Sequence, residues 1–126
     1  MKLNYDCVRD LLLTLEDCIY FKENLEYAHL SFDDLCKLLP KYTKSDIAYA
    51  TLRLKEADYI NVNIFRGENR FSGAIYSSIT FSGHQYLDTV RNPKIWSKIK
   101  EKAGSLSFNI ILKMSESLII SHLLEG

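Results

Sequence analysis

Val8, Leu11, Leu12, Leu15 and Ile19 recur at spacings of three and four, which predicts an amphipathic helix over 4–20. Asn4 stands where a cap is needed. Asp6 falls in the first turn, where the helix dipole favours a carboxylate. From 21 to 30 the pattern loosens to an alternation through Leu25, Tyr27 and His29, which predicts a short extended segment. Ser31 then opens a second helix. Asp34, three residues on, stands where a capping box places its acid, Phe32, Leu35, Cys36 and Leu39 form the buried stripe, and Pro40 ends the run.

After the short gap 41–43, Thr43 or Ser45 caps a third helix. Its inward side carries Ile47, Ala50, Thr51, Leu54 and Ala57, and its outward side Ser45, Asp46, Tyr49, Arg53 and Glu56. Beyond Asp58 the period falls to two, predicting strands over 59–65 and 74–80 joined by a polar loop over 66–73. Thr80 caps a helix over 81–90. Asn92-Pro93 opens another that runs to about 103, since Asn caps well and Pro suits the first helical position. A last helix is expected over 105–124, ending the chain's 126 residues.

Helix, short strand, helix, tight turn, helix and hairpin is the order of a winged helix-turn-helix. The predicted class is therefore α+β, with a two-stranded wing hairpin and extra C-terminal helices. Three short helices cannot enclose a common core by themselves, and the hairpin closes the open side. The expected organisation is a winged-helix domain over 1–80 and a helical extension over 81–126 packed on it as one compact unit. In nucleic-acid-binding members of this architecture the third helix enters the major groove and the wing touches the backbone or minor groove. Lys44, Ser45, Tyr49, Leu52 and Arg53 are then the groove-facing candidates, with Arg66, Asn69 and Arg70 on the wing.

Charge complicates this assignment. Acids and bases balance at 16 each, which argues against indiscriminate polyanion binding. Residues 1–60 hold 8 basic and 11 acidic side chains and residues 61–126 hold 8 and 5, so the third helix lies in the acidic half. The densest basic run is Arg91, Lys94, Lys98, Lys100 and Lys102, on a helix whose Trp96 and Ile99 turn inward. It is a possible basic patch or simply a solvated face. Over 105–124 the apolar positions extend beyond one stripe, which predicts a partner, most simply a second copy meeting at Ile111, Met114, Leu118 and Ile119; the alternative is a long helix folded back across its own domain.

Catalytic signatures are missing: the sequence holds no GxGxxG, P-loop, HExxH or GxSxG, and His29, His84 and His122 lack metal-ligand spacing with any cysteine. The expectation is no enzyme, no cofactor and no metal. Cys7, Cys18 and Cys36 form no CxxC pair and predict reduced thiols in a cytoplasmic protein. The longest apolar runs fall far short of the roughly 20 residues of a membrane span.

The stretch from Thr80 to Phe108 carries Gly83, His84, Tyr86, Leu87, Asp88, Arg91, Trp96, Lys98, Lys100, Lys102, Gly104 and Ser107 at the spacing LTxxGHxFLDxxRxxxxWxKxKxKxGxxSF. It resembles a family of uncharacterised, often prophage-encoded winged-helix-like domains akin to YjcQ-like proteins. Upstream, Ile47-Ala48-Tyr49, Glu56-Ala57 and Ile60 resemble that family's IAYHLKLLxEAGLI helix, from which Ala50, Arg53 and Asp58-Tyr59 depart. The resemblance implies a winged-helix fold and a phage or mobile-element origin, and it supplies no activity. Two roles follow: a transcriptional regulator reading duplex DNA as a homodimer, or a protein-interaction module, such as a phage-encoded factor that binds a host or defence protein. From the residues themselves, Gly83 permits a close backbone approach, His84 is expected to bond a hairpin carbonyl, and Asp88 with Arg91 forms an intrahelical ion pair.

Overall fold

In the computed structural model, residues 1–103 and Lys113 are described. Their elements run α1 (Tyr5–Cys18), β1 (Leu30–Ser31), α2 (Phe32–Leu38), α3 (Lys44–Glu56), β2 (Ile60–Gly67), β3 (Arg70–Ile79), α4 (Phe81–Val90) and α5 (Pro93–Ala103). This is the winged-helix order. The chain divides into two compact units, Met1–His84 and Gln85–Gly126.

Each helix of the first unit starts where a side-chain oxygen can take an orphan amide. The Cys7 amide donates to Asn4 Oδ1 at 3.1 Å, that of Asp34 to Ser31 Oγ at 3.2 Å, and that of Asp46 to Thr43 Oγ1 at 3.0 Å. Thr43, rather than Ser45, therefore caps α3. The α1 stripe of Val8, Leu11, Leu12 and Leu15 is fully buried with Cys7, and it meets Leu35 of α2 and Ile47, Ala50 and Leu54 of α3 in one core.

The sheet has three strands in the order β1-β3-β2, all antiparallel. Central β3 turns Ala74 and Tyr76 into the helical core, so the ribbon does close the open side of the three helices. Two features differ from the sequence reading. The wing is two paired strands almost to its tip: Gly67 faces Arg70, and only Glu68 and Asn69 turn, both at positive φ (49° and 60°). That is the backbone of a type I′ turn, which Gly and Asn ordinarily supply, and a Glu at its first position masks the signal. Of the segment 21–30 only Leu30 joins the sheet, where it and Ser31 form β1. The rest folds as a separate small hairpin, with Phe21 bridged to Tyr27 and Leu25 at φ 67°.

Gly83 lies where a side chain has no room: a Cβ there would collide with the Tyr59 carbonyl oxygen and stand 2.7 Å from Ile79 Cγ2. Thr80 fixes the same corner by donating to the Asp58 carbonyl at 2.6 Å and accepting from the Gly83 amide at 3.0 Å. In the second unit, Asn92 caps α5, Tyr86, Leu87, Val90, Ile95, Trp96 and Ile99 are buried, and Arg91 pairs with Asp88 at 2.9 Å. The expected last helix over 105–124 lies outside the described residues. Among those described, no helix is long and apolar enough to cross a membrane.

Candidate nucleic-acid interface

The turn that presents α3 is clamped to α1. The Tyr42 hydroxyl donates to Asp10 Oδ2 at 2.5 Å, and Lys41 Nζ lies 3.2 Å from the same oxygen. Burial, with Asp10 beside it, pushes the Tyr42 phenol well above its ordinary pKa. The phenol is therefore a neutral donor at neutral pH.

On α3, Ile47, Ala50, Thr51 and Leu54 are buried, which leaves Lys44 and Ser45 exposed at the N-terminal end and Tyr49, Leu52 and Arg53 half-exposed further along. The N-terminal end of a helix carries free amides and partial positive charge, the complement of a phosphate. Arg53 is held on its own helix: its Nη1 stands 2.9 Å from Glu56 Oε2, and its guanidinium lies 5.1 Å from the centre of the Tyr49 ring. The planar fork is thus fixed in direction before any ligand arrives.

The wing supplies the other wall. Leu52 of α3, the paired ends Arg66, Gly67, Arg70 and Phe71, and the turn Glu68–Asn69 line one open groove of about 420 Å³. The structure therefore brings the wing candidates Arg66, Asn69 and Arg70 together with Leu52. Lys44, Ser45, Tyr49 and Arg53 lie on the same helix but do not line that groove. Over 41–70 there are six basic side chains against four acidic ones, so this segment carries a small excess of positive charge although the N-terminal half as a whole does not.

The remaining candidates stand elsewhere. Lys94 and Lys98 are exposed on α5, and Arg91 is engaged by Asp88. The side chain of Lys102 and the residues Ile111, Met114, Leu118 and Ile119 lie outside the described residues. His84 is exposed, and the bond to a hairpin carbonyl expected of its ring does not form; its backbone amide instead donates to the Thr80 carbonyl as part of α4. All three cysteines are free thiols. Among the described residues, no group of three His, Cys, Asp or Glu could hold a metal ion.

Sequence reasoning missed the Asp10–Tyr42 clamp and the bond between Thr51 and Tyr76. Both join residues far apart in the chain, and no local spacing announces them.

The chain is similar to two known proteins and to one protein family. A solved regulator, AbsC from Streptomyces coelicolor, a MarR family transcriptional regulator, superposes over 94% of this chain and 74% of its own at a TM-score of 0.45 and 16% identity. The winged-helix assignment rests instead on element order and strand pairing. An uncharacterised protein of Haemophilus influenzae is 27% identical over 123 residues, spanning 94% of this chain and 96% of its own length. The profile of the family described as Hypothetical protein (DUF2513) matches residues 2–109, and the chain belongs to that DUF2513 family.

Proposed function

We propose that this protein is a DNA-binding transcriptional regulator of phage or mobile-element origin, acting in the cytoplasm on duplex DNA. The observation that carries the reading is the groove that α3 and the wing share, with Arg66 and Arg70 at the wing end and Leu52 on the helix. A duplex laid there would meet Lys44 and Ser45 at the positive end of α3. Tyr49 and Arg53 would reach base edges, and Arg66 and Arg70 would reach phosphates. Asn69 at the turn adds a neutral donor beside them. A homodimer formed through 105–124, proposed on sequence alone, would present two such surfaces to two half-sites.

The second reading, a protein-interaction module without DNA binding, draws on the acids Asp46 and Glu56 on the same helix and Asp58 just beyond it. Fluorescence anisotropy with a labelled mixed-sequence duplex separates the two. Regulator activity predicts binding at low salt that weakens about tenfold in Arg53→Ala and in Arg70→Ala. A flat titration at low salt overturns it.

A further inference from the structure

We propose that the small hairpin 20–28 and the groove beside it form a docking site for a polypeptide segment that carries an aliphatic side chain between lysines or arginines. This site shares no residue with the groove of α3 and the wing, and it does not depend on the DNA reading.

The hairpin exposes what a folded surface normally hides. Tyr20, Phe21, Leu25 and Tyr27 are each more than half exposed, within eight residues. They are held in place: the Lys22 amide donates to the Glu26 carbonyl at 2.8 Å, the Ala28 amide to the Tyr20 carbonyl at 2.9 Å, and the Phe21 and Tyr27 rings stand 4.7 Å apart. Leu25, at φ 67° and 73% exposed, sits at the tip in a backbone region that costs a leucine about 1–2 kcal/mol. A residue that bears strain without gaining burial is displayed rather than packed.

Beside the hairpin is a concavity of about 170 Å³, with Leu15, Ile19 and Ile79 as apolar lining, Phe21 and Tyr27 as aromatic walls and His84 among its polar residues. A cavity of about 150 Å³ accepts a benzene ring, so this one fits a single aliphatic side chain. Glu16 lines the concavity, and Glu23 and Glu26 are exposed along the hairpin, against Lys22 as its one base; neither hairpin acid forms an ion pair among the described residues. Three carboxylates repel nucleic-acid phosphate and anionic membrane alike. They attract lysine and arginine, whose stems can lie over the Tyr27 and Phe21 rings.

The test is an NMR titration of the isotope-labelled full chain with an amidated amphipathic peptide of leucine and lysine, and with its leucine-and-glutamate counterpart. The expected result is shifts centred on Ile19, Phe21, Tyr27, Ile79 and His84, with the glutamate peptide at least about tenfold weaker. Glu23→Lys/Glu26→Lys should weaken the lysine peptide by about tenfold, as should Phe21→Ala. The charge reversals are at exposed positions and decide the matter if Phe21→Ala does not fold. Arg66→Ala/Arg70→Ala should leave the peptide affinity unchanged, which separates this site from the DNA surface. Equal binding of both peptides, shifts centred instead on the acids Asp33 and Asp34, or no binding overturns the proposal.

Discussion

Thr51 Oγ1 and the Tyr76 hydroxyl lie 2.6 Å apart, both residues fully buried, and join the inner face of α3 to the central strand of the wing sheet. The direction of the bond follows from proton supply. Thr51 gives its one hydroxyl proton to the Ile47 carbonyl at 2.8 Å, so Tyr76 donates. Tyr76→Phe therefore leaves no donor stranded and should cost about 1 kcal/mol. Thr51→Val removes the acceptor from a buried phenol and should cost about 2–3 kcal/mol. Urea denaturation of the two variants measures the asymmetry, and equal losses would contradict the assigned direction.

Gly83→Ala should destabilise the protein by about 3 kcal/mol, because the new methyl group meets the Tyr59 backbone carbonyl, which cannot swing away as a side chain can. Thermal melting followed by circular dichroism reads the loss, and an unchanged midpoint would mean that α4 does not pack this closely on the strand end.

Asp58 occupies the left-handed region at φ 61°, immediately after the Ala57 that caps α3. A carboxylate at the negative end of a helix, in a conformation glycine adopts freely, is doubly unfavourable. Asp58→Gly should stabilise by about 1 kcal/mol, and the Thr80 bond to the backbone carbonyl at this position survives the change. Chemical denaturation is the check.

Much of this was legible in the residues themselves. The caps at Asn4, Ser31, Asn92 and Thr80 announced their helices because a side-chain oxygen and a free amide meet within three residues. The stripe Val8, Leu11, Leu12 and Leu15 went inward because one helical face can be read off spacing alone. The Asp88–Arg91 pair and the tight corner at Gly83 were legible for the same local reason. The wing turn was not: Glu68 and Asn69 adopt positive φ through the pairing of the strands around them, and a polar run of eight residues reads as loop. Nor was the 20–28 hairpin, where Leu25 and Tyr27 mimic the alternation of a strand whose side chains in fact stay exposed. Within the candidate interface, the sequence named Arg66, Asn69 and Arg70, but not the clamp of Tyr42 on Asp10 that sets the turn before α3.

Alkaline pH should weaken the fold. Burial raises the Cys7 thiol from its ordinary 9.0 to about 12, with Asp46, Asp10 and Cys36 adding to the shift, and burial also raises the Tyr76 phenol. Both groups hold their protons longer in the folded than in the unfolded chain, so the unfolded chain binds fewer protons once the pH passes about 9 and stability falls as pH rises further. Denaturation midpoints between pH 8 and pH 11, taken under reducing conditions, should decline, and Cys7→Ala should flatten the decline. A midpoint that held constant across the range would contradict the burial of this thiol.

The central claim is that α3 and the wing grip one duplex together, and the salt dependence of DNA binding tests it most directly. Affinity should fall steeply as salt rises, and Arg66→Ala/Arg70→Ala should reduce the slope of log affinity against log salt by about 0.9 for each phosphate that the variant no longer neutralises. Binding whose slope is identical in the wild type and the wing variant, or no binding at low salt, would contradict it.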